Sequence, residues 1–214
     1  MRLRPMLVAM VAFLAACGSS SAHTSTATPA HPGAPTIACG PATAKTLAAS
    51  ARARVYQVGS EVYGCAASGR GSFRLGNATH TIRELRAGPV AVAGDLAAYG
   101  LTSFGIDTVR AQVVVRRLTD GARLQAFPAT KAVGAESFES VGSVVVKPDG
   151  AVAWIAHESS IGARGQTTEV QSARAGGSNV VVASGSGIDP SSLRLRGSTL
   201  SWRDAGVTRR ATLR

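Results

Sequence analysis

The chain is poor in aromatic residues, in acidic residues and in lysine. Aromatic side chains make up 5% of its 214 residues, and 12 Asp and Glu stand against 23 Lys and Arg. Only Lys45, Lys131 and Lys147 are lysines, and the arginines are scattered without a basic run interleaved with aromatic rings. Proteins that bind single-stranded nucleic acid combine basic charge with rings on which bases stack. The composition therefore argues against a nucleic-acid partner and predicts a dispersed, solvated basic surface.

No apolar run is long enough to span a bilayer as a helix, which takes roughly 20 residues. The apolar segment at residues 6–16 lies between Arg2 and Arg4 on one side and a Gly-Ser-Ser-Ser-Ala tract on the other. A short basic region, an apolar segment and small residues in this order are typical of a secretory signal. We therefore predict that residues 1–16 are a signal peptide that is removed on export.

The apolar segment ends in Leu14-Ala15-Ala16-Cys17. This ending resembles the lipobox of bacterial lipoproteins, in which the cysteine is lipidated and becomes the new N-terminus. The resemblance implies a diacylglyceryl anchor on Cys17, and two or more acyl chains hold a protein firmly on a membrane. We therefore expect the protein on the outer face of the cell membrane.

The segment that follows Cys17 is typical of a flexible tether. Residues 18–36 are rich in Ser, Thr, Ala and Pro and show no apolar periodicity. His23 and His31 are their only ionisable side chains, and we assign no metal to them. The predicted organisation is a signal peptide at 1–16, a lipidated cysteine with its tether at 17–36, and one domain at 37–214.

The three cysteines divide into one lipid-bearing residue and one pair. With Cys17 lipidated, Cys39 and Cys65 remain as an even pair in an oxidising compartment. A redox or metal role would favour a C-x-x-C spacing or nearby His and Asp ligands, and the sequence has neither. We predict a structural disulfide between Cys39 and Cys65, and we assign no metal and no cofactor.

The domain at residues 37–214 is predicted to be all-β. From Val55 onward, short apolar segments are separated by glycine turns, of which Asp120-Gly121 is a strong hairpin signal. A weak helical period at residues 42–53 indicates either a short helix or an alanine-rich strand.

A glycine turn followed four or five residues later by an aromatic residue recurs along the domain. The spacing of the aromatic residues is near the 40–50 residues of one four-stranded propeller blade. The four instances are Gly59 with Tyr63, Gly94 with Tyr99, Gly150 with Trp154, and Gly197 with Trp202.

Residues 144–154, VVVKPDGAVAW, resemble the strand–Pro-Asp-Gly–strand element of TolB-like propeller repeats. The wider layout, with VYQVGSEVYGC, GDLAAY and LRLRGSTLSW, resembles small secreted or lipid-anchored proteins of actinobacteria. The resemblance implies a β-propeller-like array of about four short antiparallel units that serves protein interaction and not catalysis. A β-sandwich or an open barrel built of the same hairpins is the alternative.

Catalytic candidates are few, and we assign no catalytic residue. His80 and His157 are the only histidines of the domain, and His157 is followed by Glu158. Adjacent residues of a strand point to opposite faces, which argues against a joint acid–base role. The sequence therefore predicts a membrane-anchored extracytoplasmic lipoprotein that acts as a binding or scaffold module with an envelope protein partner. The alternative is a cell-envelope hydrolase acting on glycan or peptide, with His157 and Glu158 as its best candidates.

Overall fold

Short antiparallel strands account for nearly all the regular structure. The computed structural model describes residues 39–79, 85–131, 137–160 and 166–214. The predicted signal peptide, Cys17, the predicted tether and His80 lie outside these residues. Within them there are fifteen strands and no helix. The strands are β1 Lys45–Ala49, β2 Ala53–Val58, β3 Glu61–Ala66, β4 Ser72–Asn77, β5 Arg86–Ala93, β6 Leu96–Phe104, β7 Val109–Arg117, β8 Arg123–Pro128, β9 Ser137–Val146, β10 Val152–Ser160, β11 Gln166–Ala173, β12 Asn179–Gly185, β13 Arg194–Arg196, β14 Thr199–Asp204 and β15 Val207–Thr212.

The strands form four antiparallel meanders in chain order. Meander 1 comprises β1–β4, meander 2 comprises β5–β8, meander 3 comprises β9–β12, and meander 4 comprises β13–β15. Two single parallel pairs, Asn77 with Arg86 and Val109 with Phe138, join the first three meanders into one mixed sheet. Among the described strands β1 and β12 do not pair, so the sheet is not closed on itself. The all-β prediction is confirmed.

Glycine turns connect the first and second strands of meanders 2, 3 and 4. Gly94, Gly150 and Gly197 occupy these turns with φ of 57°, 93° and 58°, a conformation that is costly for residues with a side chain. Gly59 connects the second and third strands of meander 1. The first predicted repeat therefore lies one strand later in its meander than the other three do. For the alanine-rich segment the sequence predicted either a short helix or a strand, and the structure has a strand there, β1. No helix that could cross a membrane occurs in the part of the chain that the structure describes.

Three apolar cores fill the spaces between consecutive meanders, and each contains one aromatic residue from a second strand. Tyr99 of β6 lies between meanders 1 and 2, Trp154 of β10 between meanders 2 and 3, and Trp202 of β14 between meanders 3 and 4. These side chains are 1%, 0% and 5% exposed. Tyr63, the fourth predicted position, lies on β3 and stacks on Tyr56 with ring centroids 5.8 Å apart. Because replacing a buried Trp by Ala typically costs about 3–5 kcal/mol, the three second-strand rings are principal contacts between meanders.

Cys39 and Cys65 form the predicted disulfide, with the two sulfur atoms 2.07 Å apart. Cys65 is fully buried on β3, and Cys39 precedes the first strand. Arg54, which is opposite Cys65 in the β2–β3 ladder, donates from Nη2 to the carbonyl of Pro41 at 2.7 Å and lies over the ring of Tyr56. The chain before β1 is thus held to meander 1 by one covalent bond and one charged group.

Loss of this disulfide is expected to lower the free energy of unfolding by roughly 3.5 kcal/mol, because it closes a loop of 26 residues in the unfolded chain. The variant Cys39→Ala with Cys65→Ala, compared with the oxidised wild type by urea denaturation, measures the loss. Wild-type protein kept under a thiol reductant is the matched control and should lose a similar amount. A double variant as stable as the oxidised wild type contradicts the prediction.

The β7–β8 hairpin is fixed by an ion pair within its turn. Arg117 contacts Asp120 with Nε at 3.0 Å and Nη2 at 2.6 Å from Oδ2, and Asp120 Oδ1 accepts the backbone N–H of Ala122 at 3.0 Å. Gly121 has φ 75°, and a Cβ there would overlap the ring of Phe73. The hydrogen bonds from Arg117, followed by the bond from Ala122, lower the pKa of Asp120 to about 2.

Because the pKa of Asp120 is lower in the folded chain than the value of about 3.9 in an unfolded one, its stabilising contribution is present above about pH 4. That contribution is lost as the pH falls toward 2. An NMR titration of the Asp120 carboxyl carbon should give a midpoint near 2, and Arg117→Gln should move it toward 3.9. Arg196→Gln, at an exposed position on β13, should leave the midpoint unchanged. A wild-type midpoint near 3.9 contradicts the assignment.

Candidate functional site

The best catalytic candidates in the sequence, His157 and Glu158, lie on opposite faces of β10. Trp154 points toward meander 2 and Ile155 toward meander 4, so alternation along the strand places Glu158 with Trp154 and His157 with Ile155. Glu158 is 8% exposed, and His157 Nδ1 lies 3.1 Å from the hydroxyl of Thr168 on β11. The geometry does not bring this acid and this base to one substrate bond.

A buried polar network holds the segment after β8 against meander 3. The carbonyl of Ala129 accepts hydrogen bonds from Trp154 Nε1 at 2.8 Å and from Gln171 Nε2 at 3.1 Å. The carboxylates of Glu139 and Glu169 are 3% and 7% exposed. Their donors are the Ala111 N–H and the Thr130 hydroxyl for Glu139, and the Lys131 N–H and Gln171 Nε2 for Glu169. Because each of these buried carboxylates accepts two hydrogen bonds, the network is a structural clamp.

Among the described residues, no three His, Cys, Asp or Glu side chains are grouped so that they could hold a metal ion. His23, His31, His80 and the predicted lipidation residue Cys17 lie outside the described residues.

The exposed face of meander 4 carries only arginine and hydroxyl side chains. Leu195, Leu200 and Trp202 point toward meander 3, so the opposite face takes the residues that alternate with them. The strand register aligns these residues in rows across the three strands. We call the following eight residues the arginine face: Arg194, Arg196, Thr199, Ser201, Arg203, Thr208, Arg210 and Thr212.

The arginine face is a compact patch with a net positive charge. Strand and residue spacings make it about 10 Å by 14 Å, and all its residues are exposed except Ser201, which is half-buried. Within the described part of the chain none of its four arginines forms an ion pair, whereas Arg209 on the opposite face lies 3.6 Å from Asp204. Asp189 lies at the edge of the patch. Hydrogen bonds from Ser191 lower the pKa of Asp189, and the charges of Arg203 and Arg194 add to that shift.

The sequence predicted a dispersed basic surface and did not identify this face. The alternation that reveals it is present in Arg194-Leu195-Arg196 and again at residues 199–203. It becomes informative only when the strand register places the arginines of three strands on the same side.

Comparisons of this chain with protein-family models, with curated proteins and with solved structures give no match.

Proposed function

We propose that this protein is a membrane-anchored extracytoplasmic binding module, tethered through Cys17, whose arginine face binds an acidic partner in the cell envelope. The observation that carries the proposal is a sheet face with four arginines and four hydroxyls, with the carboxylate of Asp189 at its edge. Arginine is suited to this task because its planar guanidinium donates two parallel hydrogen bonds to a carboxylate.

The arrangement of the meanders supports a binding role. We propose that they are successive blades of an open, propeller-like array. Three meanders have four strands, the fourth has three, and an apolar core lies between each consecutive pair. No described strand covers the outer face of meander 4, which leaves that face available to a partner.

A protein surface fits the arginine face better than a lipid surface does. Faces that bind membranes bury aromatic and aliphatic side chains among the headgroups, and the arginine face has none. Its hydroxyl groups accept as well as donate hydrogen bonds, which matches the mixed donors and acceptors of a protein surface. We therefore assign an envelope protein with a carboxylate-rich surface as the partner.

Membrane attachment is tested at Cys17. The wild-type protein is expected to fractionate with membranes and to incorporate labelled palmitate, because acylation of Cys17 supplies at least two chains. Cys17→Ala should lose the label, whereas Cys39→Ala with Cys65→Ala should keep it. Absence of label from the wild-type protein contradicts the anchor.

The partner is tested with a photo-reactive amino acid at Thr208, in the middle of the arginine face. We expect one cross-linked adduct in intact cells, and we expect Arg203→Glu with Arg210→Glu to reduce its yield at least about tenfold, because the reversed charges repel an acidic partner. Arg70→Glu with Arg174→Glu is the matched control, since both arginines are exposed and lie outside the face.

The proposal fails if the adduct forms equally with both double variants. It also fails if the adduct is a lipid or an anionic polymer, because the face would then have another class of partner.

A further inference from the structure

A cleft of about 540 Å³ lies between meander 1 and meander 2. Leu75 of β4 lines it from one side, and Tyr99, Leu101 and Val114 line it from the other. Arg74 of β4, Arg116 of β7 and Arg123 of β8 also line it, and Arg74 is paired with Glu61 at 2.8 Å. The cleft thus combines an apolar wall with three guanidinium groups, of which those of Arg116 and Arg123 form no ion pair with a described residue. Its volume is within the range of small-molecule sites.

Arg116 and Arg123 are direct neighbours across the β7–β8 ladder. Like charges placed opposite each other on adjacent strands destabilise a sheet. Neither Arg116 nor Arg123 forms an ion pair with any described residue. The repulsion between Arg116 and Arg123 therefore lowers the stability of the fold, and a bound anion would remove it.

The protein provides hydrogen-bond partners for only part of the Arg116 guanidinium group. Its Nη1 lies 3.4 Å from the carbonyl of Arg74, and its buried Nε has no hydrogen-bond partner. Arg123 is exposed and donates from Nη2 to the side-chain carbonyl of Gln112 at 2.8 Å, which leaves its other N–H groups for a ligand.

The phenol of Tyr99 lies beside this pair at the base of the cleft. Its side chain is 1% exposed, and burial raises the pKa of Tyr99 while the charges of Arg116 and Arg123 oppose that shift. The phenol therefore stays neutral and keeps a hydroxyl hydrogen that it can donate to an anion.

We propose that this cleft binds a small molecule that carries a carboxylate or a phosphate on an apolar body. The oxyanion lies between Arg116 and Arg123, and the apolar body lies against Leu75, Leu101 and Val114. Charge-assisted bonds from two guanidinium groups select the anion, and the apolar wall selects against small inorganic ions.

The test is calorimetric titration of the full-length protein with five probes: inorganic phosphate, phenyl phosphate, acetate, benzoate and benzyl alcohol. We expect phenyl phosphate, benzoate or both to bind at least about fivefold more tightly than the corresponding inorganic phosphate or acetate, because the aromatic body removes apolar surface from water. Benzyl alcohol, which has the same body and no charge, should bind at least about tenfold more weakly than the better aromatic anion. The ratio between the two aromatic anions distinguishes phosphate from carboxylate.

Variants assign the binding to the cleft. Arg116→Gln and Arg123→Gln are each expected to weaken the preferred aromatic anion at least about tenfold, and Tyr99→Phe by a smaller factor. Arg70→Gln removes an exposed charge outside the cleft and should change the affinity less than about twofold. Thermal unfolding of each variant confirms that it is folded.

Three results would overturn the proposal. The first is the absence of saturable binding of any oxyanion up to about 20 mM, a concentration that corresponds to very weak affinity. The second is equal binding by the wild type and Arg123→Gln. Because Arg123 is exposed, its substitution is expected to leave the protein folded, so this comparison is decisive even if Arg116→Gln does not fold. The third is a loss of affinity in Arg70→Gln as large as in Arg123→Gln, which would indicate attraction by the net charge of the whole protein.

Discussion

The contact on which the rest of the structure depends is the burial of β6 and β10, the second strands of meanders 2 and 3, on both of their faces. β6 turns Tyr99 toward meander 1 and Ala98 toward meander 3, and β10 turns Trp154 toward meander 2 and Ala153 toward meander 4. A strand that is apolar on both faces cannot be covered by its own meander. Each meander therefore needs its neighbour in order to fold, as the units of a repeat protein do. A large ring on one face and alanine on the other let consecutive sheets pack closely without a gap.

An array built in this way has to end in a sheet that needs no further neighbour. β14 retains the buried aromatic residue, Trp202, on its inner face, but its outer face is polar. Terminal units of repeat proteins are polar on the outer side because water replaces the missing neighbour. A face that only has to be hydrated could carry any mixture of positive and negative charges. The four charged residues of the arginine face are all arginines, whereas Asp189 lies at its edge and Asp204 lies on the opposite side with Arg209. Solubility therefore explains why the face is polar but does not explain why its charged residues are all arginines.

The sequence predicted the features that depend on local chemistry or on the number of cysteines. Glycine turns and alternating apolar residues are local signals, so most hairpins and the all-β class could be predicted, and an even count of two cysteines predicted the pair Cys39 and Cys65. β4 was not predicted because Gly71 and Gly76 enclose an alternating segment of only four residues, Ser72 to Leu75. The arginine face, the clamp around Ala129 and the cleft at Arg116 depend on strand register and on which sheets face each other. A slip of one residue would move each of these side chains to the other face, and no local signal fixes that choice.

The surplus of arginine over acidic residues explains how many guanidinium groups lack an ion pair, but it does not explain where they are. With 23 Lys and Arg, three of them lysines, and 12 Asp and Glu, some arginines must be unpaired in any arrangement. Repulsion is smallest when the unpaired charges are far apart and fully solvated. Arg116 and Arg123 depart from that arrangement because they lie opposite each other, and one of them has a buried nitrogen without a partner. Proteins commonly accept such local costs at binding sites, where the ligand supplies the missing interaction. The position of the unpaired charge, and not its amount, is therefore the evidence for anion binding.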